Sequence, residues 1–444
     1  MHSQLSFMDS TVERFREMLA HVRERVRPAY LRNVYFRIDP RNRPNYFEQC
    51  WQFERLESSL DTPGEGVIFL PMSDWHVRFQ RSQQFALRLG EAGFRVLYLN
   101  PHLGREFRKV PDGSNAAEIR QLRENVWELH VHLPLEPVFH HRLLSSEEHL
   151  ILTGALAEAG KRLGFQRAVQ IISFPVWGRT ALALRERLGW PILYDCHDFI
   201  GGFSRIAPSI VQAEPSIIRA ANVGLFSSET LMDLNKPLQP ERVLIRNGVD
   251  RSFIREDREA RRFGGEQSVT YIGSLDDWID VPAIEAAARE HSSVIFRLFG
   301  RVESASIRRL ERYSNVHLKG ECPHSQVADI LESSGAAIIP FKLNRLTRAV
   351  DPIKAYEYLA LGLPVVTSEL PELERFRDLI YIYRTPAEFC GAIGAALAER
   401  DEKLSRRRRA AVLRETWEER TDMLVQQIGL CTGTQYLSLR TDDR

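Results

Sequence analysis

The sequence predicts an α/β protein made of two doubly wound, Rossmann-like domains in series. Two observations carry this. From Gly66 onward, short β-branched and aromatic runs alternate with helical periods, the pattern of parallel sheets covered on both faces. The alternation then pauses in the charged, Gly-containing stretch DRSFIREDREARRFGGEQ and starts again, marking the approach to a second domain. A chain of 444 residues that is 43% hydrophobic has material for two cores. The expected divisions are a basic helical extension over 1–62, a first sheet domain over 63–250 and a second over 251–400. A C-terminal segment over 401–444 is expected to cross back to the first domain.

In the first domain the strand candidates are GVIFLPM, RVLYLN, VWELHV, AVQIISF, PILYDC, NVGLFSS and RVLIRNG. Between the first two, RFQRSQQFALRLGEAG has a helical period, with Phe79, Phe85, Leu87 and Leu89 on the buried face and Gly93 as the stop. The second domain offers SVTYIGS, VIFRLFG, NVHLKGE, AAIIPF, PVVTS and IYIYRT. Doubly wound sheets bind ligands at the carboxyl ends of their strands, so the expected site lies in the cleft the two domains face. The tail KLSRRRRAAVLRETWEERTDMLVQQI is expected to be one long helix.

Composition excludes several partners. Sixty Lys and Arg against 59 Asp and Glu give a net charge of +1, so no bulk attraction to nucleic acid is expected. Arg406 to Arg409 stand beside Glu399, Asp401 and Glu402 and are expected to form a solvated helix face. Five scattered cysteines without CxxC spacing indicate neither a disulfide framework nor a zinc site, and a reducing cytoplasm fits them. No apolar run nears the roughly 18 residues needed to span a bilayer, and the start lacks signal-peptide order. TVERFREMLAHVRERV has an amphipathic period with excess arginine. It suits either the anionic inner leaflet of a membrane or packing on a neighbouring domain or subunit.

One stretch, DPIKAYEYLALGLPVVTS, is sharply delimited. Asp351 is expected to cap a helix running from about Pro352 to Leu361, with Gly362 and Pro364 as stops. As the crossover between AAIIPF and LPVVTS, this helix points its N-terminus to the carboxyl edge of the sheet. Free N–H groups and a positive dipole there suit a phosphate. Lys354 in the first turn adds a full charge, with Lys342, Arg345 and Arg348 in the preceding loop. Glu357, one turn on, can accept hydrogen bonds from a pair of sugar hydroxyls. The alternative is that Lys354 and Glu357 form an i, i+3 surface pair worth only about 0.2 to 0.5 kcal/mol.

Five segments in order, PILYDCHDF, RVLIRNGVDRSF, VTYIGSLDDWIDVPAIEAAA, FRLFGR and DPIKAYEYLALGLPVVTS, give a specific resemblance. From about Gly66 to Ile428 the chain resembles the GT-B glycosyltransferases, in particular retaining, family-4-like enzymes of the bacterial polysaccharide and teichuronic-acid type. The resemblance implies a nucleotide-sugar donor, UDP- or GDP-linked, and a saccharide or lipid-linked saccharide acceptor, with no metal and no further cofactor. It implies that Glu357 binds the donor ribose and that Lys354, Gly273, Ser274 and Arg301 meet the diphosphate. His197 and Asp198 would be the catalytic pair near the reacting sugar. In the retaining mode the leaving phosphate takes the acceptor proton and His197 and Asp198 position substrate. In an inverting one, either would be the general base. Taken alone, HD could equally end a strand with Asp198 as a cap, and Asp195 suits a buried hydrogen-bonded carboxylate as well as a catalytic one.

The chain departs from the pattern twice. Where many members carry a glutamate for the transferred sugar, eight residues before Glu357, this chain has Ala349. In place of the Gly-rich loop after the first strand it has LPMSDWHVRFQRSQQ, where Trp75, His76, Arg78 and Arg81 are candidate acceptor contacts. Asp276, Asp277 and Asp280 in SLDDWID are expected to be turn and helix caps rather than metal ligands. Two rivals remain: a nucleotide-sugar epimerase of the same architecture, and a catalytically silent partner subunit.

Overall fold

The computed structural model describes residues 54–76, 79–101, 117–131, 133, 139–254 and 267–436, together with Met18, Val22 and Val26. Arg78, most of the N-terminal extension and the charged stretch over 255–266 lie outside the described residues. The chain divides into two compact units: unit 1 holds residues 1–226, 232–244 and 421–444, and unit 2 holds 227–231 and 245–420.

Unit 1 is built from β1 (Gly64–Leu70), α1 (Arg81–Glu91), β2 (Arg95–Leu99), β3 (Ala117–Arg123), β4 (Val126–Val131), α2 (Ser146–Arg162), β5 (Phe165–Ile172), α3 (Gly178–Leu188), β6 (Ile192–Cys196), α4 (Pro208–Ala220), β7 (Val223–Phe226), α5 (Glu229–Leu234, shared with unit 2) and β8 (Arg242–Leu244). The strands form one sheet in the order β3-β4-β2-β1-β5-β6-β7-β8. All pairs are parallel except β3 with β4. The central strands are apolar along their length because both faces are covered; Val67, Ile68, Phe69 and Leu70 have no exposed surface. Strand β3 has no counterpart among the runs expected from sequence. Its AEIRQLR carries charge at alternate positions, and Glu118 and Arg120 are buried because they pair with each other at 2.5 Å.

Unit 2 continues with β9 (Ser268–Ile272), α6 (Val281–Glu290), β10 (Ile295–Phe299), β11 (Val316–Gly320), α7 (Val327–Glu332), β12 (Ala336–Ile339), α8 (Arg345–Arg348), α9 (Ile353–Ala360), β13 (Val365–Ser368), β14 (Tyr381–Tyr383), α10 (Pro386–Ala398), α11 (Glu402–Val412) and the first turn of α12 (Trp417–Thr432), which belongs to unit 1 from Thr421 on. Its sheet is wholly parallel in the order β11-β10-β9-β12-β13-β14. All six strands fall on the runs expected from sequence. The core packs Val269, Phe296, Leu298, Ile338, Ile339 and Val366 from the sheet against Leu359, Phe389 and Ile393 from the helices. Each such side chain contributes about 1.5–3 kcal/mol of burial free energy.

The C-terminal tail differs from the single helix expected. It breaks between Val412 and Trp417, where Thr416 bridges to Val249 instead of continuing the helix. Arg408 also departs from the solvated face assigned to its neighbours. It is fully buried, with its guanidinium on Glu399 at 2.6 and 2.7 Å and on the Leu379 carbonyl at 2.7 Å. From Thr421 the chain belongs to unit 1, where the Tyr436 ring lies 5.0 Å from that of Phe94.

Candidate functional site

In unit 2 the carboxyl ends of β9 and β10 turn together. Gly273 follows β9 with φ 149° and Gly300 follows β10 with φ 141°, conformations that disfavour any side chain. The turns are stacked: the Gly273 amide donates to the Phe299 carbonyl at 3.0 Å, the Leu275 amide to the Arg301 carbonyl at 3.0 Å and the Glu303 amide to the Leu275 carbonyl at 2.9 Å. A Cβ on Gly300 would fall 1.8 Å from the Gly273 carbonyl oxygen, so only glycine permits this approach. Tyr271 fixes the turn further by donating to the Ser274 carbonyl at 2.9 Å.

Lys354, in the first turn of α9, comes down onto this turn. Its Nζ lies 5.0 Å from the Phe341 ring centre and 5.5 Å from that of Tyr271. A Cβ built on Gly273 would be 3.1 Å from its Cε. Two aromatic faces hold the ammonium by cation–π attraction and by packing its methylene stem. Tyr358, also on α9, accepts from the Ile272 amide at 3.0 Å and ties the helix to β9. The structure thus brings Gly273, Ser274 and Lys354 together, with the Arg301 backbone in the adjoining turn. The Arg301 side chain is exposed and directed to Glu303, 3.1 Å away.

Glu357 lies one turn after Lys354 and is largely covered, with Oε1 3.6 Å from Nε2 of His324. His324, which the sequence reading did not single out, also sets its ring edge against Phe253 at 5.8 Å. A histidine that opens a short 3-10 helix four residues past a strand carries no pattern that would have flagged it.

The start of α9 corrects the expected cap. Pro352, not Asp351, is the N-cap residue, and the helix begins at Ile353. Asp351 is turned inward and buried. It accepts from the Asn247 amide at 2.6 Å and from the Tyr356 hydroxyl at 2.8 Å, while its own carbonyl accepts from the Asn247 side chain. Tyr356 in turn accepts from Arg375, and Arg375 pairs with Glu415. The NGVD segment at 247–250 is thereby locked to the helix bearing Lys354 and Glu357. Ala349 is fully buried and its carbonyl accepts from the Ser228 hydroxyl at 2.7 Å, so no carboxylate stands there.

Burial pushes the Asp351 carboxyl up to about 6, against the Asn247 and Tyr356 hydrogen bonds that favour its charge. The folded state therefore holds this proton more tightly than the unfolded chain. Stability from this group is fully present below about pH 4 and is lost as pH rises through 6, by about 3 kcal/mol in all. Asp351→Asn, which mimics the protonated acid, is expected to become less destabilising relative to wild type between pH 4.5 and 7.5. Urea unfolding at the two pH values checks this.

In unit 1, β6 ends at Cys196 and delivers His197 and Asp198, both half-buried, at its carboxyl end. Nδ1 of His197 meets the Asp195 carbonyl at 3.2 Å, and Nε2 lies 3.8 Å from Oδ2 of Asp198. Asp198 is not the N-cap of the short helical turn that follows, which starts from Phe199. Asp195 is buried and bound to Arg81, whose Nε is 3.0 and 3.1 Å from its two oxygens and whose Nη2 is 2.9 Å from Oδ1. Arg81 is therefore not an acceptor contact. It is 2% exposed and spends its guanidinium on Asp195, with Phe85 stacked beneath it at 4.8 Å. Trp75 is also withdrawn, buried edge-on against Tyr98 at 5.2 Å. His76 likewise turns inward to the buried Glu128 at 2.8 Å, which also takes His130 at 2.9 Å and Asn100 at 2.8 Å. Trp75, His76 and Arg81 are thus engaged in contacts within unit 1.

Asp280 caps α6, accepting from the Ala283 amide at 3.2 Å, and Asp276 accepts from the Asp277 amide. Among the described residues no group of three His, Cys, Asp or Glu side chains is arranged to hold a metal ion, and no helix is long and apolar enough to cross a membrane.

Two parallel, doubly wound units, with glycine turns and a lysine-bearing helix at the strand ends of the second, define a GT-B architecture, and residues 281–426 match the family model described as Glycosyl transferase-like. The fold is that of the GT-B glycosyltransferases. Its relatives include a protein of Bacillus subtilis (strain 168) assigned to teichuronic acid biosynthesis as the glycosyltransferase TuaH. That protein is 27% identical over 270 residues, 55% of this chain and 67% of the relative. Similar solved structures include a sucrose-phosphate synthase from Thermosynechococcus elongatus (TM-score 0.64, 15% identity, 83% of this chain and 99% of that one). Another is Anabaena HepE in complex with UDP and glucose (TM-score 0.56, 12% identity, 82% and 99%).

Proposed function

We propose that this chain transfers a hexose from a UDP- or GDP-sugar to a hydroxyl of a saccharide or lipid-linked saccharide, with retention of anomeric configuration and without a metal ion. The observation that carries this reading is the grouping in unit 2 of Lys354, the Gly273–Ser274 turn and the start of α9, with Glu357 one turn further on. Breaking the bond between sugar and diphosphate leaves charge on the β-phosphate. A lysine, turn amides and a helix N-terminus are groups that stabilise it. Glu357 accepts the ribose hydroxyls, and Arg301, exposed and flexible, swings from Glu303 to the phosphates. In unit 1 His197 and Asp198 position the reacting sugar or its acceptor, and the leaving phosphate takes the acceptor proton. The B. subtilis relative's assignment to teichuronic acid biosynthesis supports the saccharide acceptor class.

Incubation with labelled UDP- and GDP-hexoses tests this. Release of nucleoside diphosphate should depend on added saccharide acceptor and persist in EDTA. Donor conversion without any acceptor would contradict transfer and favour an epimerase.

A membrane-bound acceptor would be met at the inner leaflet of the membrane. Met18, Val22 and Val26, four residues apart on a helix, are each more than half exposed, and the sequence around them carries Arg14, Arg16, Arg23, Arg25 and Arg27. The full chain is expected to float with vesicles containing anionic lipid and not with neutral ones. Equal recovery with both would contradict this contact.

A further inference from the structure

We propose that Arg81 and Asp195 are positioning residues for transfer, acting through His197. The inference rests on the reading that His197 meets substrate, and extends it to why one ring nitrogen does so. A carbonyl oxygen can only accept, so the 3.2 Å contact between Nδ1 of His197 and the Asp195 carbonyl requires the proton on Nδ1. The Asp195 carboxylate, with Oδ2 3.7 Å from the same nitrogen, favours that proton electrostatically. In the neutral ring Nε2, 3.8 Å from Oδ2 of Asp198, is then an acceptor suited to a sugar hydroxyl.

The carboxylate that reinforces this arrangement is itself held. Asp195 is 1% exposed and Arg81 is 2% exposed, and three N–H contacts of 2.9 to 3.1 Å join them. Arg81 is the first residue of α1 and Asp195 lies near the end of β6, so the pair pins the helix after the β1 loop to the strand that delivers His197. A planar guanidinium can span both carboxylate oxygens at once, which an ammonium cannot. A buried pair of this geometry is a poor source of net stability compared with apolar packing, and orientation accounts for its presence here.

The test is long-range 1H–15N spectroscopy of the full chain labelled at histidine, with His197→Gln identifying the resonance. It is run beside release of UDP or GDP from the corresponding nucleotide hexose. The wild-type neutral ring should be the Nδ1–H tautomer. Arg81→Lys, which keeps the buried charge balanced and so should fold, is expected to mix the tautomers and lower turnover by about 10- to 100-fold. Diphosphate binding should be unchanged. Asp195→Asn should do the same where it folds. An Nε2–H tautomer in the wild type, or one unmoved by Arg81→Lys, overturns the proposal. A shifted tautomer with unchanged turnover overturns the substrate role of His197, while the orientation of its ring by Arg81 and Asp195 stands.

Discussion

Replacing Lys354 by alanine is expected to lower donor turnover by about 10²- to 10³-fold, the range found when one preorganised group facing developing charge is removed. The aromatic faces of Phe341 and Tyr271 hold the ammonium over the Gly273 turn before any ligand arrives, so little reorganisation is needed at the moment of bond cleavage. Charge on the β-phosphate grows as the sugar departs, and an interaction that strengthens along that path is worth more in the transition state than in the bound donor. The loss should therefore appear mainly in kcat, with KM for the nucleotide sugar moving less. Steady-state kinetics at varied donor concentration separates the two, and a rise in KM alone would assign Lys354 to donor binding only.

Gly300→Ala is the second large effect expected, and no contact with ligand is involved. The new methyl would sit 1.8 Å from the Gly273 carbonyl oxygen, and φ of 141° is strained for any side chain. One of the two stacked turns must move, and a shift of the Gly273 turn carries the Gly273–Ser274 amides away from Lys354. The expected result is a loss of about 2–4 kcal/mol in the stability of unit 2 and at least tenfold weaker diphosphate binding, that is, about 1.4 kcal/mol or more. Gly320→Ala is the control. Gly320 also has positive φ, 72°, but nothing lies within 4 Å of its Cβ position, so it should cost only about 1 kcal/mol of conformational strain. Chemical denaturation and nucleotide titration of both variants check the difference.

The strands of unit 2 could be read from sequence because each is a short apolar run between turn residues, and burial on both faces removes the ambiguity of alternation. Strand β3 could not, since Glu118 and Arg120 look solvated until their mutual pairing is seen. The same blindness misplaced Arg408 and Arg81. Arg81 differs from an exposed arginine only through Asp195, a carboxylate distant in sequence, and Arg408 is set apart from its neighbours only by the fold that closes Glu399 and the Leu379 carbonyl over it. Local rules also misread Asp351, because aspartate before proline and a helical run suits a cap. The competing acceptor role, toward Asn247 and Tyr356, is tertiary. Lys354 and Glu357 were legible because their spacing and the sharp helix boundaries lie within one short segment. His324 became visible only when the fold carried it to Glu357.

The central claim is that α9 and the turn beneath it form the donor site. Calorimetric titration with UDP, GDP, ADP and CDP, on wild type and on Lys354→Ala and Glu357→Ala, tests it most directly. Selective binding of one diphosphate is expected, weakened by both substitutions, Lys354→Ala through the phosphates and Glu357→Ala through the ribose. Binding indifferent to both substitutions, or no binding of any of the four, would contradict it.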